Sequence, residues 1–179
     1  ASDLRVRSPE SLISTVIQSD FHDTKAIQAT VEQCVKDDSF DTVLIAHGML
    51  PNQSNCQSDI KACQYALEVN AISPVLFAEA FLKQAEKADR GTVAIIGSVA
   101  GDRGRQSNYV YGAAKGLIER YAQGLQHRFA HNKHINVVLI KPGPTLTPMT
   151  ASLSGLKTSL ASVDLVSKQI ISGIKRGYT

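Results

Sequence analysis

The chain has 179 residues, 43% of them hydrophobic and 20% charged, with a formal net charge of +3 at neutral pH. One domain with a single large core fits that length, and so small and dispersed a charge gives no reason to expect a nucleic-acid partner. Cys34, Cys56 and Cys63 are a sparse set without CxxC spacing, which suggests neither a disulfide framework nor a zinc site, and no apolar stretch approaches the roughly 18 residues of a membrane span. With no signal peptide at its start, the expectation is a reduced, cytoplasmic domain.

Taken in order, residues 14–18 form a β-branched run that meets a loop at Ser19 and Asp20. Ile27, Val31 and Val35, with Cys34 beside them, mark one face of a helix over 25–36. Residues 41–48 read as an apolar strand stopped by Gly48, and 51–58 as a polar loop. A long helical pattern follows over 59–87, with Pro74 expected to kink or divide it. Residues 91–97 are continuously apolar, as in a strand buried on both faces. After a loop rich in Gly and Arg, a helix is predicted over 108–131, then a buried strand over 135–140 closed by Pro142-Gly143-Pro144. Val163, Val166, Ile170, Ile171 and Ile174 stand at helical spacing in the tail.

Strands alternating with helices of this length predict an α/β fold on a parallel sheet, in which ligands bind outside the carboxyl ends of the strands. That rule points to Asp20, to Ala46 through Gly48, to Ser98, and to residues 142–147. Tyr111 and Lys115 lie four residues apart near the start of the helix after the 91–97 strand, so they share a helix face. A phenol with an ordinary pKa of about 10 is a poor acid or base at neutral pH. A neighbouring ammonium favours the phenolate and draws that value toward the working range. Four such residues in this order outweigh the separate readings of Ser98 as a cap, Asn70 as surface and Pro142-Gly143 as a turn.

The series Asn70, Ser98, Tyr111 and Lys115 resembles the short-chain dehydrogenase/reductase family in order and spacing, from about residue 14 to residue 177. Pro142-Gly143 with Thr147 is similar to that family's PG motif, and Asp20, followed by Phe21, to its acid beside the adenine. The resemblance implies a Rossmann-type doubly wound sheet over residues 1–179 and hydride transfer between NAD or NADP and a carbonyl or alcohol. It implies that Tyr111 exchanges the proton at the substrate oxygen and that Ser98 hydrogen-bonds that oxygen. Lys115 would tune Tyr111 and hold the ribose, and Asn70 would position a water beside Lys115. Asp20, Phe21, Ala46, His47, Gly48, Pro142, Gly143 and Thr147 would complete the cofactor's surroundings. The resemblance also implies a homodimer or homotetramer, built on Val75, Leu76, Ala78 and Leu82 of one helix and Val110, Leu117, Ile118, Tyr121 and Leu125 of the other.

Two departures stand out. Where the family has Asn-Asn-Ala-Gly, this chain has Ile45-Ala46-His47-Gly48, and His47 is expected to pack rather than to face the cofactor. None of the twelve glycines forms the Gly-rich pyrophosphate turn, and only nineteen residues precede Asp20. The expectation is therefore a chain without the family's first two strands and its last one. The strands ending at Asp20 and Gly48 should then not be neighbours, and the choice between NAD and NADP is not readable. The segment from Ser98 to Gly116 further resembles the decaprenylphosphoryl 2-keto-pentose reductase branch, which implies a keto-sugar substrate. Arg103 and Arg105 either meet its phosphate or lie solvated near Asp102. His127, His131 and His134 sit where cations suit a helix end, and no metal is expected. The competing functions are a nucleotide-sugar epimerase or dehydratase, which also uses a Tyr-x-x-x-Lys helix, and an inactive binding fragment.

Overall fold

A computed structural model describes residues 2–7, 14–36, 40–151 and 160–177. Three strands, β3 (Thr42–Ile45), β4 (Gly91–Ile96) and β5 (Ile135–Ile140), form a parallel sheet in the order β3-β4-β5. Ile45 pairs with Ile95, and Ile95 with Leu139, so the carboxyl ends of all three strands finish at one edge. β4 lies in the middle, and Val93, Ala94 and Ile95 are all but sealed from solvent, as the unbroken apolar run predicts.

The helices supply the rest of the core. On α1 (Thr24–Lys36), Ile27, Val31 and Cys34 form a buried stripe at spacings of three and four. Thr30 on the same face donates from Oγ1 to Ser19 Oγ at 2.8 Å, tying α1 to the end of β2 (Ser14–Ser19). α4 (Ser73–Ala88) contributes Phe77, Ala78, Phe81 and Leu82, and α5 (Tyr109–Arg128) contributes Ile118 and Leu125, to the cluster that holds the sheet residues. α6 (Val163–Arg176) carries no buried residue.

Several expectations need correction. Residues 53–58 are a short helix, α2 (Gln53–Ser58), not a loop; Asn52 caps it by accepting the Asn55 N–H at 3.2 Å, and Gln53 and Cys56 turn inward. The long pattern over 59–87 is α3 (Ile60–Leu67), a five-residue π-helical turn (Glu68–Ile72) and α4. Pro74 sits in the first turn of α4, directly after that π-helical turn, so the pattern is divided beside Pro74 as expected. The widened turn just before it contains Asn70, whose Nδ2 donates to Ala66 O at 2.9 Å. A side chain that takes the i−4 carbonyl competes with the backbone ladder and opens it.

The stretch from Ile60 to Ala88 is long and apolar enough to cross a membrane by length and composition alone, a property the broken apolar runs concealed. Its most apolar window is 56% buried inside the fold, as in the core helix of a globular domain.

The N-terminal strand β1 (Ser2–Arg7) has no counterpart in the sequence reading; it pairs antiparallel with β2, Leu4 opposite Ile17. β2 makes no ladder with β3, as expected. Tyr178 and Thr179, where a last strand is expected to begin, lie outside the described residues. Most of the apolar surface assigned to assembly is used within the chain: Ala78, Leu82, Val110, Ile118 and Leu125 are buried, and Val75, Leu76 and Tyr121 pack against the same core. Leu117 alone among those nine is exposed, at 43%.

Candidate active site

The sheet edge gathers the residues singled out by their chemistry. Ser98 follows β4 and caps a single 3-10 turn (Val99–Gly101), its Oγ accepting the Ala100 N–H at 3.1 Å. With that lone pair occupied, the hydroxyl proton is free for Tyr111, and a hydrogen bond joins the two side chains. Tyr111 stands in the first turn of α5 and Lys115 one turn on, its Nζ 5.8 Å from the Tyr111 ring centroid. Lys115 is 3% exposed and donates from Nζ to Ile96 O, the last residue of β4, at 3.0 Å.

Glycines explain why these groups meet. A Cβ on Gly101 would lie 2.8 Å from the Lys115 carbonyl carbon and 2.9 Å from Gly116 N. One on Gly112 would lie 2.9 Å from Ala100 O, and one on Gly116 3.3 Å from Gly101 O. The turn that carries Ser98 is therefore pressed directly onto the backbone of the helix that carries Tyr111 and Lys115. Only hydrogen fits between them. Sequence reasoning passed over Gly101, Gly112 and Gly116; the signal was the spacing of four on α5 opposite a glycine in the preceding turn.

Asn70 is fully buried, with Oδ1 accepting the Met49 N–H at 2.9 Å and Nδ2 held by Ala66 O. This fixes the loop after β3, and Gly48 in it approaches so closely that a Cβ would sit 3.0 Å from Asn70 Oδ1 and 3.7 Å from Lys115 Nζ. Asn70, Gly48, Lys115, Tyr111 and Ser98 thus form one contiguous group.

The other residues named from sequence divide. His47 packs between Phe21 (ring centroids 4.2 Å apart) and Phe77 (5.6 Å), with Nε2 3.1 Å from Ser73 Oγ. Burial, with Lys115 nearby, lowers its pKa to about 4, so the ring is neutral. Phe21 joins that aromatic cluster, while Asp20 is exposed and accepts the His22 N–H at 2.9 Å. Ala46 is exposed at the end of β3. Pro142 O accepts the Val99 N–H at 3.4 Å, which ties the end of β5 to the Ser98 turn. Gly143 is exposed, and Thr147 opens a second 3-10 turn (Pro148–Thr150) by mutual capping with Thr150. Asp102 pairs with Lys141, not with the loop arginines, and Lys141 also reaches Glu119 at 3.1 Å.

Electrostatics modify one expectation. Burial raises the Tyr111 phenol above its ordinary value, and the Ser98 hydrogen bond offsets this only in part. Burial also lowers Lys115 to about 8. The ammonium turns toward Ile96 O and does not bring the phenol down, because desolvation of the oxygen outweighs it. For a dinucleotide, the residues present fit the nicotinamide-ribose half. A side chain at Gly48 would crowd Asn70 and stand against Lys115, so glycine keeps the approach to Lys115 clear, and among the described residues Lys115 spends one hydrogen bond, to Ile96 O, of the three its ammonium offers.

The chain resembles known proteins along most of its length. It is 27% identical over 113 residues to an uncharacterized oxidoreductase of Mycobacterium tuberculosis, covering 63% of this chain and 45% of that protein. It is 34% identical over 88 residues to the bovine (Bos taurus) 3-oxoacyl-[acyl-carrier-protein] reductase, covering 49% and 37%. The chain thus spans about half the length, or less, of these curated relatives. The crystal structure of 3-oxoacyl-[acyl-carrier protein] reductase from Brucella melitensis in complex with NAD superposes with a TM-score of 0.75 at 20% identity, covering 90% of this chain and 72% of that one. The bulky-bulky ketone specific alcohol dehydrogenase from Comamonas testosteroni also reaches 0.75 at 20% identity, covering 90% and 61%. Both likenesses establish the fold. The family pattern for short chain dehydrogenases matches residues 8–156, and the chain belongs to that family.

Proposed function

We propose that this chain carries the catalytic centre of an NAD(P)-dependent oxidoreductase that interconverts a carbonyl and an alcohol. The observation that carries the reading is the convergence of Ser98, Tyr111, Lys115 and Asn70 around the space beside Gly48. Bound there, the nicotinamide supplies the hydride. Tyr111 gives its proton to the substrate oxygen in reduction and takes it back in oxidation. Its raised pKa keeps it protonated at neutral pH, which suits it to the donor role in reduction. Ser98 orients the phenol and offers its hydroxyl proton to the same oxygen as charge grows there. Lys115 holds the ribose hydroxyls and places a positive charge beside the phenolate that proton loss creates. Asn70 fixes the loop of Gly48 and, with Lys115, holds a water through which the proton is replaced. Asp20, Phe21, Ala46, His47, Pro142, Gly143 and Thr147 border the cofactor, His47 through its packing against Phe21.

The substrate we propose is a keto-sugar on a phosphate-bearing carrier, as in the decaprenylphosphoryl 2-keto-pentose reductases that the segment from Ser98 to Gly116 resembles. Asp102 is neutralised by Lys141, and Arg103 and Arg105 are exposed with no ion pair among the described residues. Two free guanidinium groups on the loop that leads to Tyr111 suit a phosphate. Assembly as a homodimer or homotetramer is proposed on the apolar surface left open on the π-helical turn and α5, at Ile72 and Leu117. The test is oxidation of NADH and NADPH by the full-length protein with simple ketones and with phosphorylated keto-sugars. Turnover with the phosphorylated sugars above the simple ketones is expected. No turnover with any carbonyl, in either direction, contradicts the reading.

A further inference from the structure

The first turn of α5 has an unusual anchor. Helix N-termini leave their first amide N–H groups without intrahelical partners, and a side chain at the cap position normally takes one. Asn108 occupies that position, yet its side chain makes no capping bond. The Val110 N–H is taken by Gln53 Oε1 at 3.1 Å, from a residue 57 positions earlier in the chain. Both residues are buried, Gln53 9% and Val110 6% exposed. Gln53 opens α2, so this bond ties the loop after β3 to the turn that bears Tyr111, the next residue after Val110.

The orientation of the amide is fixed by chemistry. Val110 N–H is only a donor, and a flipped amide would set two donors against each other. Gln53 Nε2 is left buried and without a partner among the described residues. A buried unpaired donor is destabilising, so Gln53 is a poor choice if stability alone is served. Methionine at this position would remove that unpaired donor at nearly the same volume, while leaving the Val110 N–H unpaired instead. The two orphans offset each other, and the global stability should hardly change.

We propose that Gln53 is a positioning residue for Tyr111, clamping the first turn of α5 through the Val110 N–H so that the phenol stays against Ser98. The inference rests on the reading of Tyr111 as acid and base. The clamp itself is tested without turnover. In the full-length protein, Gln53→Met and Gln53→Glu are compared with wild type by amide hydrogen exchange at Val110, by thermal unfolding, and by spectrophotometric titration of the Tyr111 phenol, isolated by difference against Tyr111→Phe. Gln53→Met should speed Val110 exchange about tenfold, the loss of one ordinary hydrogen bond. It should also move the Tyr111 midpoint down toward the ordinary phenol value of about 10, since a loosened turn readmits water. The unfolding midpoint should stay put.

Gln53→Glu retains an oxygen acceptor, so Val110 protection should persist, with the Tyr111 midpoint unmoved or higher if the carboxylate is ionised. Unchanged Val110 exchange in Gln53→Met overturns the proposal, as does faster exchange with no movement of the Tyr111 midpoint. Loss of protection in both variants together with a lower unfolding temperature also overturns it, because that is a core role only. Turnover separates the two readings. If Tyr111→Phe remains active while Gln53→Met loosens Val110 and shifts the phenol, the acid-base reading fails and the clamp stands.

Discussion

The Ser98–α5 junction and the segment beyond β5 sit at the same sheet edge and are built in opposite ways. At the junction, backbone meets backbone through Gly101, Gly112 and Gly116, and the polar groups Asn70 and Lys115 are buried with fixed partners. Beyond Pro142, Gly143 has nothing within 4 Å of where a Cβ would stand, Leu146 and Met149 are exposed, and α6 buries no side chain. The difference teaches which tasks need rigidity. In the proposed reaction, proton transfer would depend on a few tenths of an ångström between Ser98, Tyr111 and Lys115, which close packing would secure. The proposed substrate would enter on the exposed side.

Glycine substitutions sharpen this contrast most strongly. Gly101→Ala drives a methyl against the Lys115 and Gly116 backbone, which cannot rotate away, and should destabilise by about 3 kcal/mol in urea unfolding. Gly143→Ala should stay within about 0.5 kcal/mol of wild type. Equal effects at the two sites would break the comparison.

Lys115→Met comes next. The folded-state pKa of about 8 lies below that of an unfolded lysine, so the buried ammonium destabilises the fold fully below pH 8. The cost fades as pH rises from about 8 to the unfolded value of about 10.5. Removing the charge should therefore stabilise the protein by about 2 kcal/mol at pH 7 while turnover is lost, a trade of stability for activity. Wild type should gain stability over that pH window, and the variant should not. A destabilised Lys115→Met would show that the Ile96 hydrogen bond outweighs burial of the charge.

His47 gives an effect of similar size at lower pH. Its folded pKa of about 4 lies below the ordinary value of about 6.5, so the unfolded chain binds the proton more readily between the two. Stability is full above about pH 6.5 and is lost as pH falls toward about 4, by an amount on the order of 2 kcal/mol. Thermal unfolding of His47→Asn across that range should be flatter than wild type. An identical slope would mean that His47 is not buried neutral.

The parallel sheet and its helices were legible because their signals are local. The apolar run of β4 and the stripe on α1 each specify one element in one environment. The Tyr111/Lys115 pair was legible because four residues on a helix place two side chains on one face. What escaped depends on partners distant in sequence. α2 looked like loop because five of its six residues are polar, and only Gln53 and Cys56 turn inward. The break before Pro74 takes the form of a π-helical turn in which Asn70 bonds a backbone carbonyl, a detail that hydrophobic periodicity does not register. β1 alternates too briefly to be recognised without β2 opposite it. The tight contacts at Gly101 and Gly112 required knowing which turn lies on which helix. The direction of the Tyr111 shift needed its burial, which a spacing of four does not reveal.

The central claim is that Tyr111 moves the proton at the reacting oxygen, and one comparison tests it directly. In the full-length protein, turnover of Tyr111→Phe with its carbonyl or alcohol substrate is measured beside nicotinamide cofactor binding. Phenylalanine keeps the ring and its packing and removes only the hydroxyl. The expected result is turnover lowered by roughly a thousandfold or more, the scale of a lost general acid-base group, with cofactor affinity unchanged. Turnover within about tenfold of wild type would contradict the assignment.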